Sequence, residues 1–177
     1  ITKVEAVSLF VPIEEKIEAP ISIPYASELT DIIFKGYRTT LVRIETDCGL
    51  TGVGECIVRL TPTATRDIIR DLAPLLIGKD PLDREALWEL LFGAMMNRGH
   101  NRGFFVEAVS GIDIALWDLL GKATGQPVGR LLGGRYRERV QPYASLLMDE
   151  PAKMKDHLAK VRSQGFRAFK IGWGPFG

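Results

Sequence analysis

The sequence predicts an α+β fold: a three-stranded antiparallel meander with a helical bundle, followed by a single strand–helix–strand unit with parallel pairing. Three observations carry this prediction. Residues 3–12, 39–46 and 51–58 are alternating or β-branched runs, the last two joined by the turn Asp47-Cys48-Gly49-Leu50. Residues 63–123 place apolar side chains at helical spacing in three successive segments. Residues 140–172 then read as strand, helix and strand with short connections, which implies parallel pairing and a right-handed crossover.

In the first strand, Val4, Ala6, Ser8 and Phe10 share one face, while Glu5, Val7 and Leu9 share the other. Residues 13–37 follow neither period and read as a long irregular loop, a length at which loops are usually functional lids or disordered. If the following hairpin turns between Gly49 and Leu50, Cys56 faces Arg43 and not Cys48. No disulfide is therefore expected, and two free thiols fit a reducing compartment.

The first helix spans 63–76, with Ile68, Ile69, Leu72, Leu75 and Leu76 as its apolar positions and Gly78 as its stop. Asp80-Pro81 reads as an N-cap with proline at the first helical position, opening a helix with Leu87, Trp88, Leu91 and Met95 as its stripe. A third helix, 104–123, carries Ala108, Gly111, Ile112, Ala115, Leu116 and Leu119. Small side chains permit close approach to a neighbour, so this helix is expected at the centre of the domain. After Gly125-Gln126-Pro127, a short helical turn runs to Leu132. The glycine and charge cluster from Gly133 to Glu138 then reads as a domain boundary. A strand over 140–147, a helix over 150–164 and a strand over 168–172 complete the chain. One such unit leaves a parallel sheet uncovered and is not a finished domain.

Bulk properties exclude several classes. With 23 Lys and Arg against 22 Asp and Glu in 177 residues, the chain has no long-range field for nucleic acid or an anionic membrane. No apolar run reaches the roughly 20 residues that span a bilayer, and the start Ile1-Thr2-Lys3 has no signal-peptide pattern. The protein is accordingly expected in the cytoplasm, with an N-terminus trimmed of its initiator Met. The glycines of Gly49-Leu50-Thr51-Gly52-Val53-Gly54 lead into a strand and not a helix, so a dinucleotide-binding turn is excluded.

The stretch Ala108-Val109-Ser110-Gly111-Ile112-Asp113-Ile114-Ala115-Leu116-Trp117-Asp118-Leu119-Leu120-Gly121-Lys122 resembles the enolase superfamily, in its mandelate racemase and muconate lactonizing enzyme branch. Gly125-Gln126-Pro127-Val128, Leu131-Leu132-Gly133-Gly134, Gly52-Val53-Gly54-Glu55 and Phe169-Lys170-Ile171-Gly172 extend the resemblance over essentially the whole chain. It implies an N-terminal capping domain over residues 1–134 and the truncated start of a TIM-like (β/α) barrel over 135–177. The activity it implies is magnesium-dependent removal of a proton alpha to a carboxylate, with the enediolate stabilised by the metal. Its ligands would lie on barrel strands beyond Gly177, so none is assigned here. A dehydratase acting on a hydroxy or sugar acid is the preferred implication. A racemase, epimerase or cycloisomerase is the alternative within the superfamily, and a non-catalytic binding fragment the alternative outside it. The expected partner is a small carboxylate substrate, and relatives of this kind commonly assemble as homo-oligomers.

Residue by residue, Lys170 matches the first lysine of a Lys-x-Lys motif, where it would help neutralise the substrate carboxylate. Gly172 stands at the second position, where many relatives place a lysine base, and a glycine cannot abstract a proton. That departure favours a reaction whose base lies on a later strand. Period-two alternation puts Ala168, Lys170 and Gly172 on one face, giving the lysine small neighbours. Glu55 falls in a region that the resemblance makes a specificity loop, and Tyr25, in the long loop, is a candidate lid contact. Asp113 and Asp118, five apart on a helix, do not face one another and are expected to make structural polar contacts. The cationic segment from Asn97 to Gly103 reads as a solvated connection.

Overall fold

The computed structural model describes residues 1–12, 36–58 and 60–172. Tyr25 lies outside the described residues. The described chain forms two compact units, the first comprising 1–12 and 36–135, the second described over 136–172.

In the first unit, β1 (Lys3–Pro12), β2 (Gly36–Glu45) and β3 (Thr51–Ile57) form an antiparallel sheet in the order β1-β2-β3. Its inner face is built of cross-strand rows: Val4, Ile44 and Gly52; Ala6, Val42 and Gly54; Ser8, Thr40 and Cys56. The predicted meander is therefore present, with one correction of register. Cys56 pairs with Thr40 and not Arg43. The turn is a five-residue loop, 46–50, because Thr46 closes it twice: its amide and its hydroxyl both donate to the Leu50 carbonyl, at 3.0 and 2.8 Å.

Helix α1 (Pro62–Leu72) starts with proline in its first turn, where no intrahelical N–H is needed, and continues as a 3-10 turn over Ala73–Leu75. Thr40 of β2 donates its hydroxyl to the Pro62 carbonyl at 2.7 Å, fastening the helix start to the sheet. Helix α2 (Arg84–Met96) begins later than the Asp80-Pro81 signal predicts. The Asp80 carboxylate accepts from the Leu82 amide at 2.9 Å, so this aspartate caps a local turn and the helix opens after Asp83.

Helix α3 (Phe104–Thr124) occupies the centre that its small residues predict. Ala108, Val109, Gly111, Ile112, Ala115, Leu116 and Leu119 are all buried against the sheet and the other helices. Its contact with β3 is so close that a Cβ added to Gly52 would stand 2.2 Å from the Ala115 carbonyl oxygen. Gly125 ends the helix in the left-handed conformation at φ 62°, its amide donating back to the last turn, as a C-terminal glycine does. A single turn, α4 (Val128–Leu131), follows.

In the second unit, β4 (Ala144–Leu147), α5 (Pro151–Ser163) and β5 (Phe169–Gly172) form the predicted strand–helix–strand, with β4 and β5 parallel. The first strand is shorter than the predicted 140–147. Pro142 has no amide to give a ladder, and β5 offers only four residues to pair with.

Candidate functional site

Glu55 and Ile57 alternate with the inward-facing Gly54 and Cys56 on β3, and an open cleft of about 380 Å³ forms beside them. Glu55 and Ile57 line one side; Val106, Glu107, Ser110 and Ile114 of α3 line the other, with Arg102 at the helix entrance.

Glu55 is exposed and oriented by Thr39, whose hydroxyl donates to its Oε1 at 2.8 Å across the β2–β3 pair. Glu107 is different. Its Oε2 is shielded from solvent and has no hydrogen-bond partner among the described residues. Desolvation holds its carboxyl above the usual glutamate range. Next to both lies Cys56, whose thiol burial pushes up to about 11, with the Glu107 and Glu55 charges acting in the same direction and the Gly111 backbone against it. Cys56 is thus a protonated, inert core group. Cys48 is exposed, and a hydrogen bond shared with the Thr46 hydroxyl holds its thiol below the usual range; no disulfide joins the two.

Glu55 is therefore brought together with Glu107 and Ser110, which sequence reasoning had passed over. The available signal was faint: 107 and 110 are polar positions three apart on a helix otherwise rich in small and apolar residues. Asp113 and Asp118 prove structural, as expected. Asp113 accepts from Arg84 at 2.7 Å, and that guanidinium also lies 4.1 Å over the Trp117 ring, tying α2 to α3. Asp118 accepts the Val53 amide at 2.9 Å, while Lys122 donates to the Thr51 carbonyl at 2.6 Å, so this pair satisfies the free edge of β3. The connection from Asn97 to Gly103 is exposed apart from its part in walling clefts, and His100 packs its ring 6.3 Å from that of Phe105.

Lys170 belongs to the second unit, on β5 opposite Ser145 of β4, with its side chain exposed. At Gly172 a built Cβ meets no described atom within 4 Å, so packing does not demand glycine there. Among the described residues, no three His, Cys, Asp or Glu side chains converge to hold a metal ion. Nor is any described helix long and apolar enough to cross a membrane.

A small-residue helix locked onto a three-stranded meander, with a parallel strand–helix–strand unit beside it in sequence, defines an α+β domain class in which the helix positions a cleft at the sheet edge. Residues 17–133 match the mandelate racemase / muconate lactonizing enzyme, N-terminal domain, and the chain belongs to that family within the enolase superfamily. It is 42% identical over 141 residues to the D-galactarolactone cycloisomerase of Agrobacterium fabrum, covering 76% of this chain and 36% of that protein. It is 40% identical over 134 residues to the D-galactonate dehydratase of Verminephrobacter eiseniae, covering 76% of this chain and 35% of that protein. A solved Sinorhizobium meliloti protein superposes with a TM-score of 0.84 at 37% identity, over 99% of this chain and 49% of that one. The chain thus spans about a third of the curated relatives it matches.

Proposed function

We propose that this chain is the N-terminal part of an enzyme that removes a proton alpha to the carboxylate of a sugar acid or related hydroxy acid and expels water. Residues 1–134 form its capping domain and residues 135–177 open an α/β barrel. The observation that carries the reading is the 40% identity to a D-galactonate dehydratase over 134 residues. The parallel β4–α5–β5 unit supports a barrel start. Protons alpha to a carboxylate are too weakly acidic for an unaided base, so charge developing on the carboxylate oxygens must be neutralised. A magnesium ion would supply most of that neutralisation, held by residues outside the described set. Within this chain, Lys170 contributes a cation toward the substrate carboxylate. Gly172 has no side chain to take a proton, so the base comes from elsewhere in the enzyme. Glu55, and Tyr25 from the segment outside the described residues, contact the rest of the substrate.

A second reading, a lactone cycloisomerase, is favoured by the 42% identity to a D-galactarolactone cycloisomerase. Incubating the product of the full reading frame with D-galactonate or D-galactarolactone and magnesium chloride separates the two. Release of a 2-keto acid from D-galactonate supports the dehydratase; isomerisation of the lactone, followed by proton NMR, supports the second reading. Turnover of neither contradicts both.

A further inference from the structure

We infer that the cavity walled by α1, α2 and the start of α3 binds an amino acid with a large apolar side chain, its carboxylate against Arg102 and its ammonium against Asp71. The cavity holds about 710 Å³, within the range of roughly 300–1,000 Å³ usual for small-molecule sites. Its floor is apolar. Ile68 and Leu72 come from α1, Met95 from α2 and Phe105 from α3, and all four belong to the hydrophobic core or pack against it. The segment between α2 and α3 forms the remaining wall and is tied in place. The amides of Arg98 and His100 both donate to the Met95 carbonyl, at 3.1 and 3.3 Å, and the Gly99 amide donates to the Met96 carbonyl at 3.0 Å. Gly99 and Gly103, at φ 88° and 66°, supply the left-handed backbone that this path needs.

The charges on the wall select the ligand. Asp71 of α1 lines the cavity, and so does Arg102, which also borders the cleft beside Glu55. Neither side chain forms an ion pair or a hydrogen bond among the described residues, with the other or with any third group. A carboxylate and a guanidinium that share one cavity without meeting suit a ligand that carries both opposite charges. Arg102 offers the planar fork that matches a carboxylate, and Asp71 accepts from an ammonium. A simple carboxylic acid would leave Asp71 unmatched, and a simple amine would leave Arg102 unmatched. The α-amino acid group answers both. The apolar floor then favours a large hydrocarbon side chain, whose burial supplies affinity while the two charges supply orientation. This site goes beyond the sugar-acid reading and does not depend on it.

The cavity lies wholly in the first unit, so the test is a proton–nitrogen NMR titration of the 177-residue chain with L-phenylalanine at neutral pH. Saturable shifts are expected at the amides of Asp71, Leu72 and Met95 and of His100 to Phe105. Arg102→Gln and Asp71→Asn are each expected to weaken binding about ten-fold or more, because each leaves one charge of the ligand without its partner. Phenylpropionate, which lacks the ammonium, and phenethylamine, which lacks the carboxylate, should both bind about ten-fold more weakly than L-phenylalanine. Both substituted positions are exposed, and amide shifts in the sheet report that each variant is folded. Absence of saturable shifts at these amides, parental affinity in either variant, or binding of either analogue as tightly as L-phenylalanine would each overturn the inference. None of these readings involves turnover, so failure of the full-length enzyme to act on D-galactonate would leave this result standing.

Discussion

Gly54 of β3 and Gly111 of α3 stand so close that a Cβ built on Gly54 would lie 2.0 Å from the Gly111 carbonyl oxygen. Backbone meets backbone there, and neither partner has a side chain to move aside. Gly54→Ala should destabilise the first unit by about 3 kcal/mol or more, since overpacking a well-filled core costs on the order of 1–3 kcal/mol even where side chains can shift. Gly172→Ala, where a Cβ meets open space, should change stability by less than about 0.5 kcal/mol. Urea unfolding of the two variants checks the contrast.

Arg84 and Asp113 form an ion pair whose side chains are only 13% and 21% exposed. Arg84→Ala removes the pair and the cation–π contact with Trp117 together, and should cost about 2–4 kcal/mol. Arg84→Lys keeps a charge but loses the planar stack, and should recover only part of that loss. Thermal unfolding of both variants, compared with Asp113→Asn, separates charge from stacking.

Glu107 predicts a definite pH dependence. Its folded-state carboxyl titrates above its ordinary value of 4.5, so its contribution is fully present below that value and is lost as pH rises through the raised one. Glu107→Gln removes the titration. The variant should gain stability relative to the parent as pH rises from about 4 to 7, and the difference should disappear below the ordinary glutamate range. Denaturant midpoints measured across that window test the sign.

The two thiols should behave oppositely. Cys48 is exposed with its thiol biased toward the thiolate, whereas Cys56 is buried with its thiol pushed up to about 11. One equivalent of maleimide should react rapidly in the native protein, and mass spectrometry of peptides should find it on Cys48. Rapid labelling of Cys56 would contradict the packing of α3 on β3.

Much of this organisation was legible in the sequence because it follows from period and side-chain size. The run Ala108, Gly111, Ala115 announced a helix in close contact, and Gly52 and Gly54 are the matching vacancies on β3. What the sequence concealed was decided by single side chains acting locally. Thr46 set the loop length and moved the register by three, Asp80 diverted a capping signal into a turn, and Pro142 shortened a strand. Glu107 was invisible for a different reason. A glutamate in the first turn of a helix looks like a surface residue favoured by the helix dipole, and only the tertiary packing around it shields its oxygen. The reading of Lys170 rests on its motif and on the small neighbours Ala168 and Gly172 that strand alternation gives it, because the exposed or half-exposed residues of β5 add no burial signal.

The central claim is that Lys170 supports chemistry on a carboxylate substrate, and one kinetic comparison tests it most directly. Turnover of D-galactonate by the full-length enzyme is measured for the parent and for Lys170→Met, with circular dichroism confirming that both are folded. The account predicts a loss of about 100-fold or more in kcat/KM, roughly 2.7 kcal/mol of transition-state stabilisation. A Lys170→Met enzyme retaining parental kcat/KM within about two-fold would contradict it.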